Sequence, residues 1–258
     1  MKFIMFPFPG HYGDKFFQLD HNRWHAPYVL MRDKLLAEGH SVQVFPAEVD
    51  KENDVGIYFD SPEYPAPLTK RSICIMHEPP VVKPRQYERI NGLPFTRILT
   101  HVLQLTNDKN IFYCPNPLVK PLVTYEPGPR SKHCVAIYSN KVFHGPGELY
   151  TARRLAILSF GKDVDLYGPG WEKDPEILTT VNYCGKFNGP KVEVMKDYKY
   201  AIAFDNMYSD GYCSEKLPDA INAGCIPIHR GWMPDYPFEQ AYEEPWVEYV
   251  LAHIKAIL

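Results

Sequence analysis

Apolar and polar positions along this chain alternate between two periods. Lys2 to Phe6 (KFIMF) is an apolar run of strand length, and after a long loop Tyr28, Met31 and Leu35 recur at helical spacing. Pro27 stands where that helix can begin, and Gly39 suits its C-cap. His40 to Phe45 then alternates as a strand, and further apolar runs follow at Asp54 to Phe59 and Arg71 to Met76. The run Ile98 to Leu103 suits either a strand or a helix. Pro115 to Pro129 (PNPLVKPLVTYEPGP) interrupts the rhythm, because its prolines and glycine resist regular structure, and it reads as a linker. Beyond it the rhythm resumes with a strand at Cys134 to Ser139, a helix from about Leu149 to Phe160 and a strand at Val164 to Tyr167. Near the end, Trp246, Tyr249, Val250, His253 and Ile254 repeat at helical spacing, the mark of an amphipathic helix packed on one domain. Strands that alternate with helices predict parallel sheets. The expected fold class is therefore α/β with two Rossmann-like domains, residues 1–125 and 126–258.

Size and charge narrow the picture. A chain of 258 residues can bury a substantial core and suits two small domains better than one large one. A formal net charge of -3 without any basic run or stripe excludes nucleic acid as an expected partner. The six cysteines show no C-x-x-C pair, which favours single buried thiols in a reducing compartment over a disulfide framework. The opening MKFIMFPFPGHYG carries one lysine and a short apolar run broken by prolines, so neither a signal peptide nor a transmembrane segment is expected.

Most of the chemistry gathers between Tyr198 and Gly231. Tyr200 to Phe204 reads as a strand, followed by a polar loop, a short helix from Ser214-Glu215-Lys216 that Gly224 closes, and a second strand from Cys225 to Ile228. Such a unit sets the loop and the helix start at the carboxyl edge of a parallel sheet, where free backbone N–H groups favour a phosphate. Lys216 adds a cation there, and Glu215 adds acceptors suited to ribose or sugar hydroxyls. A diphosphate-linked ligand fits this set. A nicotinamide oxidoreductase does not, since no glycine fingerprint follows any strand.

In order and spacing, Phe204-Asp205-Asn206, Tyr212, Ser214-Glu215-Lys216 and Ile226-Pro227-Ile228 resemble the donor motif of the α1,3/α1,4-fucosyltransferases, glycosyltransferase family ten. The match spans some thirty residues. It departs at Asp205, where the family usually has Glu, and at Pro218, where it usually has an apolar residue. A proline inside a helix costs about 3 kcal/mol unless it lies in the first turn, so the helix here is expected to start a residue or two later than in relatives. The resemblance implies a GT-B type fold with its two domains facing a cleft, and inverting, metal-independent transfer of fucose from GDP-fucose to a hydroxyl of a glycan acceptor. No cofactor is implied beyond the GDP-sugar donor. It further implies donor contacts at Asn206, Tyr212, Ser214, Glu215 and Lys216. The family's phosphate-binding arginine lies about two helical turns ahead of a strand reading V-D-V-Y-G; here that strand is Val164 to Gly168, and Arg153 is the first choice with Arg154 in reserve. Golgi relatives carry an anchor and stem. Their absence points to a cytoplasmic enzyme of bacterial or viral type. Another GDP-sugar, or a nucleotide-sugar binding protein without turnover, stays open as an alternative.

Inverting transfer needs a base for the acceptor hydroxyl. In Cys74-Ile75-Met76-His77-Glu78-Pro79-Pro80 an apolar strand runs out into two prolines, which places Glu78 in extended backbone at the sheet's carboxyl edge. Family members carry a base glutamate at such a strand end, and Glu78 resembles it. His77 is the neighbouring candidate, though alternation along the strand points it away from Glu78. Asp163-Val164-Asp165 raises the rival reading of a metal-binding Asp-x-Asp. The triplet begins its strand, at the edge opposite the expected ligand, which favours a structural turn.

Overall fold

The computed structural model describes residues 1–8, 10–19, 23–61, 66–107, 109–235 and 238–258, apart from the side chains of residues 14 and 239. The chain divides into two compact units, one of residues 1–119, 210–212 and 234–258 and the other of residues 120–209 and 213–233.

The first unit is built on β1 (Lys2–Phe6), α1 (Ala26–Ala37), β2 (Ser41–Val44), β3 (Val55–Phe59), β4 (Arg71–Met76), α2 (Pro84–Glu88), β5 (Arg97–Thr100) and β6 (Ile111–Tyr113). The strands form one parallel sheet in the order β2-β1-β3-β4-β5-β6. Every residue of β3 is buried, as a strand covered on both faces requires. On one face Phe3, Met5, Ile57 and Ile75 pack with Tyr28, Met31 and Leu35 of α1; on the other Ile4, Phe6, Tyr58 and Met76 pack with Tyr87, Ile90 and Phe95. Gly39 ends α1 in the left-handed conformation at φ 81°, and the Gly39 and His40 amides return to the Leu36 and Leu35 carbonyls at 3.0 and 3.1 Å. The ambiguous run after residue 97 resolves as β5 followed by a 3-10 turn at Leu103–Leu105.

The second unit holds β7 (Lys132–Ile137), α3 (Tyr150–Phe160), β8 (Val164–Tyr167), α4 (Pro175–Thr180), β9 (Asn182–Gly185), α5 (Lys191–Met195), β10 (Tyr198–Phe204), α6 (Lys216–Asn222) and β11 (Ile226–Arg230). Its sheet is also parallel, in the order β11-β10-β7-β8-β9. All carboxyl ends therefore lie along one edge, and the order reverses between β7 and β10. Such switch points are where open α/β sheets bind ligands.

The last helix, α7 (Glu243–Lys255), departs from the linear division at residue 126. It sends Trp246, Val247, Val250, Leu251 and Ile254 into the same core cluster as Tyr28 and Leu35, and Lys34 reaches Glu248 at 2.6 Å. Its apolar stripe is complementary to α1, so residues 234–258 belong to the first unit. The six cysteines are unpaired, five buried and Cys184 exposed. Among the described residues no helix is long and apolar enough to cross a membrane.

Candidate functional site

In the second unit the site grows from the end of β10. Asp205, fully buried, follows the last strand residue, and its amide donates to the Arg230 carbonyl of β11 at 2.9 Å. Its Oδ1 accepts from the Ser214 amide at 3.0 Å and from the Ser214 hydroxyl. One carboxylate thus ties off the loop between residues 205 and 214. Burial pushes the Asp205 pKa up, while the bonds from Ser214 and the charge of Lys216 oppose it. A Cβ on Gly231 would lie 2.0 Å from Asp205 Oδ2, so only glycine leaves room for that carboxylate.

Ser214 carries the clamp forward. Its Oγ lies 3.4 Å from Lys216 Nζ, and Lys216 is the first residue of α6. Pro218 is then the third helical residue, inside the first turn, where its missing N–H removes no intrahelical bond. That is how the proline is accommodated. Glu215 Oε1 receives Lys191 Nζ at 2.7 Å and Lys216 Nζ at 3.2 Å, and Lys191 also stands 3.6 Å from Asp219 Oδ2. Burial works against the charge of Glu215, but Lys191 and Lys216 outweigh it and hold the carboxyl well below the usual range. Asp219 is pushed up to about 6 by burial, with Lys191 opposing and Glu215 adding to the rise.

Both candidate arginines are already engaged. Arg153 is buried between the rings of Tyr138 and Tyr150, at 4.1 and 4.8 Å. Its Nη2 donates to the Phe204 and Asp205 carbonyls at 3.1 and 2.7 Å and to Asn206 Oδ1 at 3.2 Å. It satisfies backbone oxygens that the β10 ladder leaves open and orients Asn206. Arg154 points elsewhere, to Asp174 and, at 2.7 Å, to Glu176; Asp174 in turn caps α4 by accepting the Ile177 amide at 3.2 Å. Asn206, Ser214, Glu215, Lys216 and Arg153 thus share one neighbourhood, and Arg154 braces another. Tyr212 belongs to the first unit, buried, with its ring 4.8 Å from that of His101.

In the first unit Glu78 follows β4 by two residues and is half-buried. Its amide donates to Asp60 Oδ1 at 3.3 Å and its carbonyl accepts from the Tyr87 hydroxyl at 2.8 Å. His77 turns into an aromatic box, with Phe8, Tyr28 and Phe59 rings 5.3, 5.5 and 5.9 Å away. Burial lowers its pKa to about 4, which makes it a weak base at neutral pH. His101, wholly buried at the end of β5, is lowered to about 4 for the same reason.

The Asp163-Val164-Asp165 triplet lies at the amino end of β8, and Asp165 Oδ2 accepts from the Tyr198 hydroxyl at 2.6 Å. Among the described residues no cluster of three or more His, Cys, Asp or Glu is arranged to hold a metal ion.

Neither a protein-family profile nor a curated protein matches the sequence. Solved structures do match. An α1,3-fucosyltransferase aligns over 100% of this chain and 80% of its own at 17% identity with a TM-score of 0.52. An α1,3-fucosyltransferase structure determined with GDP aligns over 100% of this chain and 79% of its own at 16% identity with a TM-score of 0.50. The fold is GT-B. At such identity the likeness concerns the α/β architecture, and any activity has to be argued from the residues.

Several residues of this GT-B chain were missed in the sequence. Lys191 and Asp219 complete the charge chain around Glu215; the spacing of Asp219, four after Glu215 and three after Lys216, is the helical signal that could have found it. Asp60 follows β3 as Glu78 follows β4, an acid after an apolar run, but its role depends on β3 and β4 being neighbours.

Proposed function

We propose that the protein is a glycosyltransferase that uses a GDP-sugar, with GDP-fucose the favoured donor and a glycan hydroxyl the acceptor. The observation that carries this reading is the corner at the end of β10, where Asp205 and Ser214 hold Glu215 and Lys216 together beside a second cation, Lys191. Two lysines suit a diphosphate, and a carboxylate beside them suits ribose hydroxyls. Asn206 adds a polar side chain that Arg153 holds in place. Tyr212 is included in the donor set because it stands within the same motif. A GT-B fold shared with α1,3-fucosyltransferase structures, one of them determined with GDP, supports the choice of donor.

In the reaction, the acceptor hydroxyl gives its proton to Glu78 as its oxygen bonds to the anomeric carbon from the face opposite the diphosphate. The bond from that carbon to the β-phosphate oxygen breaks, GDP leaves with the electron pair, and the configuration inverts. Lys216 and Lys191 stabilise the charge that develops on the leaving diphosphate, so no metal takes part. Thermal shift with GDP-, UDP- and CMP-sugars tests the reading, because a ligand at 100 times its dissociation constant adds about 2.7 kcal/mol of stability. Stabilisation by GDP-sugars alone is expected, and stabilisation by UDP-sugars alone overturns it. Donor consumption measured with and without glycan acceptors then separates a transferase from a binding protein, which would leave the donor intact in both.

A further inference from the structure

The parallel ladder of the first unit stops short of Glu78. β4 pairs with β3 up to Phe59–Ile75 and with β5 up to Met76–Thr100, so the backbone groups of residues 77 and 78 lie beyond it. Side chains take them up instead. Asp60, 1% exposed, stands at the end of β3 with φ 59°, a left-handed conformation that few residues other than glycine adopt. From there its Oδ1 accepts the His77 amide at 2.8 Å, the Glu78 amide at 3.3 Å and Gln86 Nε2 at 3.4 Å, while Oδ2 faces Lys83 Nζ at 3.2 Å. The Tyr87 hydroxyl, from α2, closes the other side on the Glu78 carbonyl at 2.8 Å.

This is an expensive way to build a strand end. A buried ion pair gives little net stability over an apolar pair of the same size, and a left-handed aspartate adds strain. What it gives is place. Both polar groups of one peptide backbone are fixed by buried side chains from two other elements, and Pro79 restricts the same residue from its carboxyl side. We propose that Asp60 and Tyr87 are positioning residues for Glu78: they hold residue 78 from both sides and so set where its carboxylate stands. The proposal rests on the reading of Glu78 as the base. A carboxylate misplaced by about 1 Å can lose up to 10²-fold in rate, so these two side chains bear on turnover without touching the reacting atoms.

Tyr87→Phe removes one hydroxyl and keeps the ring in the core; it should lower kcat about tenfold with donor KM unchanged. Asp60→Asn keeps an oxygen for the two amides and should lose less than Asp60→Ala. In the Glu78→Gln background, Tyr87→Phe should cost nothing further, because a residue that acts through Glu78 has nothing left to act on. Where Glu78→Gln itself loses turnover, an equal loss in both backgrounds, or no loss of kcat in either, overturns the proposal. The carbon-13 signal of the Glu78 carboxyl, identified by its loss in Glu78→Gln, reports without turnover. Its titration midpoint should move in Tyr87→Phe, and an unmoved midpoint overturns the proposal too. If Glu78→Gln keeps full turnover while that midpoint does move, the base assignment fails and the positioning stands.

Discussion

At the carboxyl edge of the first sheet burial keeps His77 and His101 neutral and Glu78 is gripped by its backbone, with Asp60 ion-paired to Lys83. At the carboxyl edge of the second sheet Lys191, Lys216, Glu215 and Asp219 touch one another in a chain. The first edge has one group to hold still. The second has lysines that are already part-buried and ion-paired, so under the proposed function an incoming anion would exchange partners with them rather than strip them of water. If the proposed function holds, the first edge serves as the place of a base and the second as a cationic seat for the leaving group.

Removing the held group should have the largest effect. Glu78→Gln keeps the shape and should lose about 10² to 10⁴ in turnover while GDP affinity stays constant. Turnover kept in this variant but lost in a His77 variant would move the base to His77 and erase the contrast between the edges.

The edges should also answer pH in opposite senses. His77 and His101 titrate at about 4 in the fold against an ordinary 6.5, so between those values the unfolded chain binds protons that the folded one refuses. Stability contributed by the first unit should therefore fall as pH drops from 6.5 to 4, by up to roughly 3 kcal/mol per histidine. Asp219 runs the other way, because a carboxyl raised to about 6 by burial binds its proton in the fold between its ordinary 3.8 and 6. Its share of stability falls as pH rises through that window. Urea midpoints between pH 4 and 8 should show a shallower slope in His101→Gln, and in Asp219→Asn a stability relative to wild type that grows with pH. Parallel curves for all three proteins would contradict both assignments.

Arg154→Ala should be milder. It leaves Asp174 to cap α4 alone and should cost about 1 kcal/mol or less of stability, with GDP affinity unchanged in calorimetry. A tenfold weaker GDP affinity would return Arg154 to the donor site. Smallest of all should be the effects of EDTA and of Asp163→Asn, both near neutral in transfer assays. Activity lost in EDTA and restored by manganese would replace the lysine seat with a metal.

What the sequence made legible was local. Asp205, Ser214, Glu215 and Lys216 fall within twelve consecutive residues, so the strand-loop-helix pattern and the motif resemblance together pointed to the corner that the structure holds together, though not to the Asp205–Ser214 clamp. Pro218 reads as an obstacle until α6 is seen to begin at Lys216. Arg153 could be placed on its helix but not in its role, because its guanidinium is taken up by carbonyls some fifty residues later. Lys191 and Asp60 were invisible for the same reason, since each works on a neighbour that only the sheet order supplies. Amphipathicity revealed α7, while its return to the first unit rests on a fit to α1 that no linear pattern records.

The most direct test is a calorimetric titration of GDP into the wild-type protein and Lys216→Ala. A charge-assisted bond to phosphate is worth roughly 1.5 to 3 kcal/mol, so the variant should bind GDP at least tenfold more weakly with its melting temperature preserved. Equal GDP affinity in the two proteins, or no GDP binding by the wild type, would contradict a donor seat at the end of β10.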